Sequence, residues 1–264
     1  TTTAAFAGLA WSCPGCLLDA STTCRVEWDP GHGVRVLPRA GVAVNALPWL
    51  RVFANGGRAF RLPTLEELHF DSGYVSGSPD LSPEDAWTWD AGVSLRLSGM
   101  ATLTATYFEN HLDNLILFLP TSAFRVQAVN SGRATVRGVE TALSGHAGPI
   151  NAELAYTFLD ARFIGGLAMP QRPAHALAGE VSARGGPLTA TVRARGQTAF
   201  YLDRFESLSE EARVLVDARV DLSVGDHVTL TAELRNAGDV RTAVDNLQFP
   251  LPGRSFWAAL KVLL

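Results

Sequence analysis

Apolar and polar residues alternate along most of this chain. Residues 213–224, RVLVDARVDLSV, put Val214, Val216, Ala218, Val220, Leu222 and Val224 on one side and Arg213, Asp217, Arg219, Asp221 and Ser223 on the other. Residues 227–236 repeat the design, with Val228, Leu230, Ala232 and Leu234 against His227, Thr229, Thr231, Glu233 and Arg235. Trp87, Trp89, Ala91, Val93, Leu95 and Leu97 likewise oppose Thr88, Asp90, Ser94 and Arg96. In 188–195, Leu188, Ala190, Val192 and Ala194 oppose Thr189, Thr191, Arg193 and Arg195. A period of two marks strands with one apolar face, and helical spacing fits none of these windows. The pattern predicts an all-β chain with strands at 34–46, 50–60, 87–97, 101–117, 125–144, 150–161, 175–184, 188–200, 213–224, 227–237 and 254–264. Residues 1–33 are patterned less regularly and read as an irregular segment holding one or two further strands.

Strand length and connection length narrow the class. These strands run about nine to twelve residues, beyond the five or six usual in globular sheets and close to the 9–11 that cross a bilayer at a tilt. Short turns at 47–49, 98–100, 145–149, 185–187 and 225–226 alternate with long loops at 61–86, 119–130, 162–173, 201–212 and 238–253. Short turns on one rim and long loops on the other describe an antiparallel transmembrane β-barrel. The 61–86 stretch is then a surface loop, the kind that carries function.

The energetics of charge set the register. An arginine on the lipid face near mid-bilayer costs roughly 2–4 kcal/mol, so the valine face is expected to meet lipid and the charged face a wet, arginine-rich lumen. The alternative is a soluble two-layer sandwich with the valines between two sheets.

Composition agrees. Apolar residues make up 47% and charged residues 18% of the 264-residue chain, and Lys261 is the only lysine. A net charge of −4 without a basic block gives nucleic acid no footprint. No run of eighteen apolar residues predicts a transmembrane helix, which leaves strand-built spans open. No signal peptide opens the chain, so either the mature form or a partial sequence is expected.

Candidate chemistry is sparse, and no cofactor or enzymatic activity is expected. Cys13, Cys16 and Cys24 invite a metal or redox reading, but His32 supplies no second partner at ligand spacing. A disulfide or plain reduced thiols are the stronger readings. The Glu66–Glu67 pair reads as a solvated turn rather than an acid/base pair. Glu109, His111 and Asp113 share a strand face and form either an ion-contacting set or ordinary rim polarity. No nucleophile elbow, P-loop or G-x-G-x-x-G is present.

Several segments, in order, resemble the TonB-dependent outer-membrane receptors. GRAFRLPTLEEL (57–68) is similar to that family's segment after a barrel strand, and SPDLSPEDAWTWDAGVSLRL (78–97) to the next, with Asp90 where glutamate is usual. VNSGRATVRGVETALSG (129–145) supplies Asn130, Gly132, Ala134, Gly138, Val139 and Glu140 of a third motif. MPQRPAH (169–175), LRNAGDV (234–240) and LPGRSFWAALKVLL (251–264) resemble later segments, with Ala237 and Gly238 replacing the usual leucine and Leu264 replacing a final aromatic.

The resemblance implies the C-terminal portion of the receptor barrel over 34–264, about 11–13 of the family's twenty-two strands, without the plug domain. It implies a bacterial outer-membrane location and energy-dependent uptake of a ferric siderophore, haem, cobalamin or similar scarce nutrient. The partners are outer-membrane lipid, small-molecule cargo and the TonB system acting through a plug. Such a portion alone, with open strand edges, is not expected to transport. Phe70, Tyr74, Phe200, Tyr201 and Phe205 in long loops, with Arg193 and Arg195 on the charged face, are the candidate cargo-binding residues. For those arginines, pairing with Asp90, Asp217, Asp221 and Glu233 is the stronger reading. A passive porin-like or autotransporter-type barrel, and a secreted β-sandwich binding module, stand as alternatives.

Overall fold

The structure is a computed structural model that describes residues 2–12, 15, 17–122, 125–225, 227–241 and 250–263. Thirteen strands follow one another across a single sheet in chain order. They are β1 (Thr3–Trp11), β2 (Leu18–Asp29), β3 (Gly33–Leu47), β4 (Leu50–Arg61), β6 (Glu84–Leu97), β7 (Ala101–Ser122), β8 (Arg125–Ala147), β9 (Ile150–Phe163), β10 (His175–Gly185), β11 (Leu188–Gln197), β14 (Arg213–Val224), β15 (Val228–Arg235) and β16 (Ser255–Val262). A helix α1 (Leu65–His69) and a short strand β5 (Val75–Ser76) lie between β4 and β6, and β5 pairs with β8 off the main path. β12 (Phe200–Tyr201) and β13 (Ser209–Glu210) make a separate two-stranded sheet.

Two compact units are distinguished. One contains Thr1–Val93, Thr106–Arg137 and Asp160–Leu167, the other Ser94–Ala105, Gly138–Leu159 and Ala168–Leu264.

In the second unit the register gathers aliphatic residues on one face and most of the charges on the other. Val181 stands opposite Val192, Val192 opposite Ala218, Leu188 opposite Leu222, Leu222 opposite Leu230, and Leu230 opposite Leu260. The intervening rungs run Glu153–Glu180–Arg193–Asp217 and Thr191–Arg219–Glu233–Trp257. A one-residue slip would exchange these sets, so the side-chain pattern itself pins the pairing. The aliphatic set is uncovered: Val192 is 51% exposed and Leu260 64%. No sheet stacks on it among the described residues, where the sandwich alternative needed one. The only core cluster there is Leu81, Ile116 and Ala128, with Leu68 against it, all in the first unit.

Residues 1–33, read as an irregular segment holding one or two strands, carry two long ones, with Val26 opposite both Ala5 and Val36. Two loop expectations change. The expected loop at 119–130 is strand instead, because β7 runs on to Ser122 and β8 begins at Arg125. There Val126 and Gln127 find a partner strand in Val75 and Ser76. The 61–86 loop contains a capped helix. The long-loop rim also includes the tight 30–32 turn, where Asp29 accepts from the Gly31 and His32 amides.

Candidate functional site

The segment 62–83 is folded by its own sequence and tied to its surroundings. Thr64 caps α1, accepting from the Glu67 amide at 3.1 Å, while Glu67 accepts from the Thr64 amide at 2.8 Å. This reciprocal capping box satisfies donors that a five-residue helix cannot satisfy internally. Arg61 at the end of β4 then donates to both Glu67 oxygens at 2.8 and 3.0 Å and to both Glu84 oxygens at 2.7 and 2.8 Å. Glu84 also accepts from the Ile116 amide. The Arg61 guanidinium beside Glu67, with the Thr64 amide, holds that carboxyl below the usual carboxylate range. Glu67 is therefore a clamped structural carboxylate, which corrects the solvated-turn reading of the Glu66–Glu67 pair. The signal was present in T-L-E-E, a Thr followed three residues later by Glu.

The far end of the segment is held as firmly. Asn130 of β8 accepts from the Ser82 amide at 2.7 Å and donates to the Ser82 and Asn114 carbonyls, both at 2.8 Å. Leu81 is 4% exposed over Ile116 and Ala128, and the His32 ring lies between the Asp29 carboxylate at 3.0 Å and the Leu81 carbonyl at 3.3 Å. Asp85 accepts from both Arg35 and Arg58. On this fixed frame Phe70 forms the C-cap of α1 and Tyr74 precedes β5, 44% and 73% exposed.

In the second unit a hairpin presents the other aromatic candidates. Asp203 accepts from the amides of Phe205, Ser207 and Leu208 and from the Ser207 hydroxyl. The hydroxyl first, then the amides, keep its carboxyl below the ordinary range. The result is a tight knot between β12, which holds Phe200 and Tyr201, and β13, with Phe205 exposed beside the Arg204 guanidinium at 5.6 Å. Arg193 and Arg195 lie on the charged rungs, Arg193 against Glu180 and Arg195 on Asp217 at 2.9 Å. A hollow of about 310 Å³ includes both arginines with Glu153, Glu180 and Leu154.

The other candidates are accounted for by local pairing. His111 lies 3.0 Å from Glu109, and Asp113 faces Arg133 at 3.9 Å, so the three do not converge on one point. No group of three or more metal-capable side chains occurs among the described residues. Cys24 is an exposed free thiol within β2, which removes it from any disulfide, while Cys13 and Cys16 lie outside the described residues. Arg219 pairs with Asp221 and Arg235 with Glu233, as the charge pattern suggested, whereas Asp90 accepts from Asn55 instead of an arginine.

A family model for the TonB dependent receptor-like β-barrel matches residues 2–237. The chain belongs to the TonB-dependent receptor family. It is 24% identical over 242 residues to the vitamin B12 transporter BtuB of Photobacterium profundum, covering 89% of this chain and 39% of that protein. Among solved structures it is similar to the siderophore receptor PirA of Acinetobacter baumannii, with a TM-score of 0.84 and 14% identity over 99% of this chain and 45% of that one. The copper transporter OprC gives a TM-score of 0.83 at 17% identity, covering 99% of this chain and 47% of the other. The chain thus spans less than half the length of the relatives it matches. By their names these relatives are transporters and a siderophore receptor.

Proposed function

We propose that this chain forms part of an outer-membrane receptor that takes up a scarce small-molecule nutrient, using energy delivered by the TonB system through a plug domain. The family match over residues 2–237 carries the reading. The uncovered aliphatic face supports the membrane location, since apolar area exposed along so many strands is stable only against hydrocarbon. The opposite, ion-paired face then surrounds water. Phe70 and Tyr74 on one rigid mount, and Tyr201 and Phe205 on another, would meet cargo from outside, with Arg193 and Arg195 available to an anionic chelate. The cargo class is a metal chelate, haem, cobalamin or a similar nutrient.

Deletion of the encoding gene in its own organism tests this. Growth should fail on one limiting nutrient among iron chelates, haem, cobalamin and copper, and inactivating TonB should reproduce the same defect. Unchanged growth on all of them, or a defect that persists independently of TonB, would overturn the proposal.

A further inference from the structure

We infer that His32 is a proton-operated latch: its doubly protonated ring fastens the 62–83 segment to the turn between β2 and β3, and loss of one ring proton releases it. The latch concerns how firmly the segment presenting Phe70 and Tyr74 is mounted, and does not rest on the transport reading.

The turn is built by its own sequence. In Asp29–Pro30–Gly31–His32 the Asp29 carboxylate accepts from the amides of Gly31 at 3.0 Å and His32 at 3.1 Å, the local bonding that aspartate favours in turns. The same oxygen lies 3.0 Å from His32 Nδ1, so backbone and carboxylate together aim the ring. Nε2 then points at the Leu81 carbonyl, 3.3 Å away and 49 residues distant in sequence. Leu81 is 4% exposed over Ile116 and Ala128. Among the described residues its carbonyl has no other hydrogen bond, and no other hydrogen bond joins 62–83 to this turn.

Proton count decides what the ring can hold. A carboxylate and a carbonyl only accept, whereas a neutral imidazole donates from one nitrogen and presents a lone pair at the other. Both contacts are hydrogen bonds only when both ring nitrogens carry protons. On losing one, the ring keeps its proton for the carboxylate, the charged and closer partner, and the Leu81 carbonyl then faces a lone pair. A buried carbonyl stripped of its donor is destabilising, so the segment loosens at this end. Other charged groups nearby are engaged elsewhere. The Thr2 hydroxyl occupies the second Asp29 oxygen at 2.9 Å, and Arg35 of β3 donates to Asp85, which also accepts from Arg58. On the segment itself Asp80 is exposed. Asp29 is the one ion-pair partner of the ring among the described residues. The latch is therefore closed while the ring is charged and opens as pH rises through the range in which imidazoles titrate.

Hydrogen exchange of the full receptor in detergent, followed by mass spectrometry between about pH 5 and about pH 8 and corrected for intrinsic rates, tests the latch. Protection of the peptide containing Leu81 and Ser82 should fall about fivefold or more as pH rises. His32→Gln, whose side chain does not titrate, should give a flat profile. Glu67→Gln should keep the step, since the Glu67 response lies at lower pH. The knot at 203–208 contains no histidine and should show no step in the wild type, a comparison that needs no variant. Heat-modifiable gel migration establishes that each variant is folded. A flat wild-type profile at Leu81 and Ser82, an equal step at 203–208, or the same step in folded His32→Gln receptor would overturn the inference. Nutrient uptake is not read, so the latch and the transport proposal fail separately.

Discussion

The side-chain amide of Asn130 grips both backbone groups of Ser82, 48 residues away in sequence, accepting from its amide and donating to its carbonyl. A third bond to the Asn114 carbonyl makes Asn130 the staple through which the 62–83 segment is anchored to β8. Replacing it with alanine removes three hydrogen bonds, each contributing about 1 kcal/mol, from the segment's attachment. Asn130→Ala should raise the rate of limited proteolysis within 62–83 about tenfold or more while leaving heat-modifiable barrel migration unchanged. Unaltered cleavage would show that Leu81 packing alone suffices.

Acid should loosen the same segment from its other end. Because the Glu67 carboxyl is held below its ordinary value of 4.5, its ionised form stabilises the folded segment. That contribution is complete above the ordinary value and disappears as pH falls through the lower folded-state value. Amide exchange in α1, corrected for intrinsic rates, should therefore accelerate as pH drops below about 4.5. Glu67→Gln should show fast exchange throughout and lose most of the acid dependence.

The asymmetry of the two faces gives a prediction about stability in a bilayer. Val192 lies on the aliphatic face and Thr189 on the charged one, within the same strand. In lipid vesicles, Val192→Arg in the full receptor should lower unfolding free energy by roughly 2–4 kcal/mol, whereas Thr189→Arg should change it little. Equal effects at the two positions would contradict the assignment of faces.

Asp203 holds the knot between β12 and β13 through four accepted hydrogen bonds. Asp203→Ala should unfold that knot and free Phe205, detectable as new protease sites between 201 and 212 without loss of the barrel. Where Phe205 contacts cargo, affinity should fall with both Asp203→Ala and Phe205→Ala. A fall in the first variant alone would assign the effect to hairpin shape instead of the ring.

Period-two patterning by itself specified an all-β chain, its long strands and which residues share a face, because side chains of a strand alternate rigidly and lipid or water must claim each side. Valines opposite arginines, as at Val220 and Arg219, could be read without coordinates. Other features had no local signature. The convergence of Arg61 on Glu67 and Glu84, the seat of Ser82 on Asn130, and the sharing of Asp160 by Arg137 and Arg162 join residues up to 48 positions apart. Only strand register and the fold of 62–83 bring them together. The capping box was legible in T-L-E-E, yet whether those glutamates stood free in water or were clamped depended on where Arg61 ends its strand. Alternation fixes a face one residue at a time, whereas a site requires several faces to meet, and that meeting is a property of the tertiary structure.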